Sequence, residues 1–198
     1  MSRIGVYSGS FDPVHKGHVS FALEAAKIAK LDMVYFAPEI KPRRKPHITH
    51  FAHRLSMLRL AVRSQPKLEV LELPDKYFSP KTTLARLQKL FPGDELVLLI
   101  GSDLFEHMYS WPHVEYLLDS VELVVALRSD HDEVMLSSIE EALPKQPRRL
   151  YHFYSPQPGL SSSTIRKLLR QTQISSDVTT SVATYIQKHW LYHSDLSA

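Results

Sequence analysis

Short, nearly continuous apolar runs alternate with stretches whose apolar residues recur every three or four positions along most of this chain. The runs Ile4–Tyr7, Met33–Ala37, Leu68–Leu73, Leu96–Ile100 and Val121–Leu127 have the composition of strands buried on both faces, and Leu150–Tyr154 supplies a sixth. Helical spacing runs through His18–Lys30, Phe51–Ser64, Lys81–Leu90, Pro112–Leu118 and His131–Leu143, and the tail adds Ser163–Arg170 and Ser181–Trp190. In the first helix Phe21, Ala22, Ala25, Ile28 and Ala29 fall on one stripe. Strand–helix alternation of this kind predicts an α/β fold, a doubly wound parallel sheet with helices on both faces. Ligands of such sheets bind beyond the carboxyl ends of the strands, where the strand order reverses. The first strand ends on Gly9 and the fourth on Gly101-Ser102-Asp103, so both are expected to face one crevice.

Composition narrows the class without naming a chemistry. The 198 residues, 43% hydrophobic and 23% charged, suit one Rossmann-like domain spanning 1–198, with a helical C-terminal portion from about residue 161. No repeat or low-complexity linker marks a second unit. With no cysteine in the sequence, disulfides, thiolate catalysis and Cys-based zinc sites are excluded. The chain enters its first strand without a charged and then apolar leader, and no stretch has the length of a bilayer span. A cytoplasmic enzyme is the expectation, with no membrane partner. The formal charge of +3 suits an anionic ligand.

Candidate chemistry is concentrated in Gly9-Ser10-Phe11-Asp12-Pro13-Val14-His15-Lys16-Gly17-His18. A strand, a tight turn and a helix start in that order direct backbone N–H groups and the positive end of the helix dipole at an anion. His15 and His18 sit three residues apart at the helix mouth. The spacing is neither G-x-x-x-x-G-K-[ST] nor G-x-G-x-x-G. A second segment, Leu160-Ser161-Ser162-Ser163-Thr164-Ile165-Arg166, places hydroxyl caps at a helix start and an Arg about one turn in, where it can fork onto phosphate oxygens.

The first segment resembles the G-S-F-D-P-x-H-x-G-H signature of the H-x-G-H nucleotidyltransferase superfamily, and the second its I-S-S-T-x-I-R motif, with Leu160 for Ile and Ser163 for Thr. The order and separation match too, and the likeness runs from Ser2 to about Tyr192. Within the superfamily the chain is most similar to nicotinate-nucleotide adenylyltransferases. Gly101-Ser102-Asp103 with Trp111 resembles that family's G-x-D…W element. Spacing alone makes Trp111 a packing aromatic; the resemblance implies that it stacks on a pyridine ring. The basic loop Lys41-Pro42-Arg43-Arg44-Lys45-Pro46 stands where the family has a P-P-H-K-like loop, so Lys45 is implied to reach the triphosphate. Arg54 matches an R-x-x-M-L helix and is expected to order that loop. Where the family usually has S-Y-T-x-x-T-L, this chain has Phe78 and Ser79, which leaves the choice between an acid and an amide on the pyridine open. His47, His50 and His53, spaced by three, read as loop and helix-start residues, and no metal site is expected from the chain itself.

The resemblance implies joining of ATP to nicotinate mononucleotide, with Mg²⁺ accompanying ATP and pyrophosphate released. It implies catalytic roles for His15, His18, Lys45 and Arg166. ATP contacts are implied for Gly9, Ser10, Phe11, Gly101, Asp103, Ser161, Ser162 and Ile165, and pyridine nucleotide contacts for Phe78, Ser79 and Trp111. ATP and a pyridine mononucleotide are the expected partners, nucleic acid is not, and oligomeric state is open. Two alternatives stand beside this reading: a related transferase acting on nicotinamide mononucleotide, phosphopantetheine or a phospho-alcohol, and a non-catalytic nucleotide- or RNA-binding module.

Overall fold

The computed structural model describes residues 1–43, 45–172 and 175–193. Arg44 of the basic loop lies outside the described residues. Six strands form one parallel sheet in the order β3-β2-β1-β4-β5-β6: β1 Arg3–Gly9, β2 Met33–Pro38, β3 Leu68–Val70, β4 Glu95–Gly101, β5 Glu122–Leu127 and β6 Leu150–Tyr154. The helices are α1 Lys16–Ile28, α2 Phe51–Val62, α3 Thr83–Leu90, α4 Ser102–Phe105, α5 Val114–Ser120, α6 Asp130–Ala142, α7 Ser162–Thr172 and α8 Thr180–Lys188. This is the doubly wound, Rossmann-like sheet that the apolar pattern predicts. Among the described residues no helix is long and apolar enough to cross a membrane.

Alternation along the strands divides the interior into two cores. In β4, Val97 and Leu99 face α1, α2, α7 and α8, while Leu96, Leu98 and Ile100 face α3 to α6. In β5, Val124 and Ala126 join the first core, and Leu123, Val125 and Leu127 the second. Each central strand is therefore apolar on both faces, which is why its sequence shows a run rather than a period of two. At the opposite edge of the sheet Arg3 ties the strands' amino ends together, donating to Glu95, to Glu122 at 2.6 Å and to Tyr151 Oη at 3.2 Å.

The chain starts at β1, moves outward to β2 and β3, then crosses back to β4 on the other side of β1. That reversal parts the connections leaving β1 and β4 and opens a crevice between their carboxyl ends. Departures from the sequence pattern are local. β3 is an edge strand with a single neighbour and ends at Val70, although Leu71 N still donates to Phe36 O at 2.9 Å. The helix expected from Pro112 begins at Val114, after His113 turns through the left-handed region (φ 61°). The short helix α4 and a 3₁₀ turn at Met108–Ser110 were too brief to show a period, yet they bury Phe105 and Met108.

Leu99 is fully buried at the centre of the first core. Leu99→Ala is expected to lower unfolding free energy by roughly 2–5 kcal/mol, the range for cavities of this kind. Chemical denaturation of both chains checks this; a loss below about 1 kcal/mol would mean that the site is not packed as described.

Candidate active site

A cleft of about 420 Å³ opens at the β1/β4 switch point. Its walls are drawn from several places along the chain. The β1–α1 turn supplies Gly9, Ser10, Phe11, His15 and His18; the basic loop supplies Lys45. Gly101 and Asp103 follow β4, and Ser161, Ser162 and Arg166 open α7.

The turn after β1 is tightly determined. Phe11 is buried and takes a left-handed backbone (φ 47°), which a bulky residue adopts only under constraint. Its ring meets Tyr7 and His18 edge-on, at 5.3 and 5.1 Å between centroids. A Cβ on Gly9 would come within 3.1 Å of the same ring and crowd it. The fully buried Arg54 of α2 spends its guanidinium on three carbonyls: Nη1 donates to Ser10 O at 2.7 Å, Nε to Thr49 O at 2.8 Å and Nη2 to Ile40 O at 3.0 Å. Arg54 thus orders the turn and the basic loop, as the sequence predicts, and does not line the cleft. From that loop Lys45 Nζ donates to Ser10 Oγ at 2.8 Å.

His15 and His18 stack with ring centroids 3.7 Å apart. The His15 backbone N–H donates to His18 Nδ1 at 3.2 Å, which fixes that nitrogen as the acceptor. His18 then carries its proton on Nε2 and can donate it to a ligand. Gly17 permits the stacking, because a Cβ there would come within 3.0 Å of the His15 ring. Burial, with a smaller contribution from the Arg128 cation, pushes the His15 imidazole down to about 4. His18 is held well below its ordinary value by burial first, then by His15, Arg128 and Lys45. Both are neutral near pH 7. His15 Nδ1 is buried without a hydrogen-bond partner.

The second motif closes the far wall. Ser161 Oγ caps α7 by accepting from Thr164 N at 3.1 Å, the role expected of a serine before a helix. Ser162 Oγ donates to Pro13 O at 2.9 Å and Arg166 Nη1 to Asp12 O at 2.6 Å. Two segments about 150 residues apart are therefore bonded to each other beneath the cleft. Lys45, Arg128 and Arg166 face it as cations, and Asp103 is the carboxylate on its wall. Among the described residues no group of three or more His, Asp or Glu side chains converges as a metal cage. His50 instead caps α2, and His53 Nδ1 lies 3.0 Å from Tyr185 Oη.

The model of the Cytidylyltransferase-like family matches residues 6–168. A Carboxydothermus hydrogenoformans protein named "Probable nicotinate-nucleotide adenylyltransferase" is 34% identical over 175 residues, covering 86% of this chain and 87% of its own length. A Thermus thermophilus protein of the same name is 34% identical over 195 residues, covering 96% and 99%. The chain belongs to the nicotinate-nucleotide adenylyltransferase family. Among solved structures, Plasmodium falciparum nicotinic acid mononucleotide adenylyltransferase complexed with NaAD shares the fold, with a TM-score of 0.79 over 97% of this chain and 98% of its own, at 23% identity.

Not every residue singled out from the family's motifs reaches the cleft. Ile165 is buried in the first core and holds α7 in place. Phe78 and Trp111 lie outside the cleft walls, packed on the second core with ring centroids 6.3 Å apart. Phe78 is tied to the β1–α1 turn through Glu39: Glu39 N donates to Gly9 O at 2.9 Å, and Phe78 N donates to Glu39 Oε1 at 2.9 Å. Ser79 N is taken by Thr83 Oγ1 at 3.0 Å. Conversely, Tyr7, Arg128 and Gln157 line the cleft without having been singled out. Arg128 could have been found, since it is the first residue past a fully buried strand on the same edge as Gly9 and Gly101. Its Nη2 lies 3.9 Å from Asp103 Oδ1.

The depressed histidines make stability depend on pH. The unfolded chain protonates His15 near 6.5, whereas the folded chain resists until about 4. The unfolded state therefore binds more protons in that window, and stability falls as pH drops through it. The His15 contribution amounts to about 3 kcal/mol when fully developed. Thermal unfolding from pH 7 to pH 4 is expected to show a smaller acid-side loss for His15→Asn than for the wild type; equal losses would refute a neutral, desolvated His15.

Proposed function

We propose that this chain joins ATP to nicotinate mononucleotide, releasing pyrophosphate and forming nicotinate adenine dinucleotide, as one nucleotidyltransferase domain. The observation that carries the reading is the convergence of His15, His18, Lys45, Arg128 and Arg166 on one cleft at the switch point. A triphosphate is the common anionic ligand with enough charge to engage all five.

The acceptor phosphate is already ionised at neutral pH, so its oxygen attacks the α-phosphorus without a general base. The bond to the bridging oxygen breaks, and pyrophosphate leaves with that electron pair. Catalysis is then placement and stabilisation of charge. His18 donates from Nε2 to an α-phosphate oxygen, and His15 meets the neighbouring phosphates. Lys45 and Arg166 hold the departing pyrophosphate, with Ser161 and Ser162 at the start of α7 beside it. The backbone of Gly9, Ser10 and Phe11 lies along the nucleotide, and Gly101 and Asp103 lie on its ribose side. Phe78, Ser79 and Trp111 take the pyridine end.

Mg²⁺ keeps several waters and is commonly held by one or two carboxylates plus substrate phosphates. Among the described residues Asp103 is the one carboxylate lining the wall, which fits a metal that arrives on ATP rather than one resident in the protein. When bound, it neutralises charge on the triphosphate. One observation favours a second acceptor: the Glu39 carboxylate sits on the Phe78 N–H, where a negatively charged base would be repelled and an amide would not.

Pyrophosphate release from Mg·ATP, compared between nicotinate and nicotinamide mononucleotides, tests the reading. Preference for the acid is expected; preference for the amide would give Glu39 the deciding role, and silence with both would remove the proposed reaction. With the preferred acceptor, His18→Ala should lower kcat at least about 100-fold, the scale for losing one transition-state donor. Near-normal turnover would remove His18 from the chemistry.

A further inference from the structure

Beyond α8 the chain makes a reversal that the nucleotide chemistry leaves unexplained. Trp190 (φ 51°) and Tyr192 (φ 65°) both adopt the left-handed backbone, a conformation that bulky residues take only where surrounding contacts impose it. The reversal is pinned by Trp190 N donating to Gln187 O at 3.2 Å and Leu191 N to Ile186 O at 3.0 Å. Its result is to carry the Tyr192 hydroxyl across to the β1–α1 turn, where it donates to Asp12 Oδ1 at 2.6 Å.

Asp12 is almost fully buried, and its carboxylate has few other partners. Thr49 N reaches Oδ2 at 3.4 Å, a long bond, and Arg166 Nη1 lies 3.9 Å from that same oxygen. Arg166 does not close onto the carboxylate; its Nη1 donates to the Asp12 main-chain oxygen instead, at 2.6 Å, and the side chain lines the cleft. Burial and the adjacent carboxylate raise the Tyr192 hydroxyl above its ordinary range, so it stays a donor wherever the chain is folded.

We propose that Tyr192 is a positioning residue for the triphosphate site: by satisfying the buried Asp12 carboxylate, it keeps Arg166 from collapsing into a bidentate ion pair and leaves that guanidinium free for an anionic ligand. The proposal rests on the reading of this cleft as an ATP site. A carboxylate deprived of its short bond to Tyr192 would recruit the nearest cation, and a bidentate Arg–carboxylate pair is a strong competitor for the fork a phosphate needs.

Mg·ATP binding, measured by isothermal titration calorimetry, tests this on four chains: wild type, Tyr192→Phe, Arg166→Ala and the double variant. Phenylalanine keeps the ring and removes only the hydroxyl, and thermal unfolding should place Tyr192→Phe within a few degrees of wild type. The expected result is a roughly tenfold weaker Kd for Tyr192→Phe in the wild-type background and less than about a twofold change in the Arg166→Ala background. A merely structural role would weaken both backgrounds equally. Equal weakening, or wild-type affinity in Tyr192→Phe, would overturn the proposal. If the wild type binds ATP yet releases no pyrophosphate with either acceptor, the proposed reaction falls while this inference stands. If the wild type does not bind ATP, both fall.

Discussion

The cleft depends on one buried guanidinium. Arg54 is closed off from solvent and bonded to the carbonyls of Ser10, Ile40 and Thr49, which belong to the β1–α1 turn, the segment leaving β2 and the approach to α2. Removing it would take the shared donor away from three carbonyls and leave a cavity where a fully buried side chain stood. It would also release the turn that shapes the histidine pair and the loop that carries Lys45. Burial lowers the Arg54 affinity for its proton, and the neighbouring Asp12 partly restores it. The buried cation and the buried carboxylate thus stabilise each other at the base of the site without forming a direct ion pair.

On this base the chain sets an electrostatic contrast. The two stacked histidines are kept uncharged by burial, whereas Lys45, Arg128 and Arg166 stand as full cations around them. Charging both histidines would place like charges 3.7 Å apart beside three others. An arriving polyanion reverses that balance, since its charge favours protonation of any imidazole it touches. The same desolvation that weakens the fold in acid therefore prepares neutral, directional donors for a phosphate. Asp103, 3.9 Å from the Arg128 guanidinium, offsets part of the positive field.

Most of the fold was legible because its strands are buried on both faces and read as apolar runs between helical periods. All six were foreseen, with an error of three residues where edge strand β3 has a single neighbour to hold it. The two phosphate motifs were legible as motifs, and the structure brings them into contact through Ser162 with Pro13 and Arg166 with Asp12. Less was legible where a residue acts through tertiary context. Arg128 belongs to no motif and was legible only from its place just past β5, and Glu39 gains meaning from its bonds to Gly9 O and Phe78 N. Tyr192 lies just past the helical spacing of the tail, and nothing local reveals that two left-handed residues turn its hydroxyl onto Asp12. Phe78 and Trp111, legible from the resemblance, pack on the second core and are not among the residues lining the cleft.

The central claim is that the β1/β4 crevice holds the triphosphate between the histidine pair and the opening of α7. A crystal structure with a non-hydrolysable ATP analogue tests it most directly. The account predicts an α-phosphate oxygen within hydrogen-bond distance of His18 Nε2, with Arg166 and Lys45 on the terminal phosphates. A nucleotide bound elsewhere on the chain, or one that leaves the His15 and His18 rings without a phosphate contact, would contradict it.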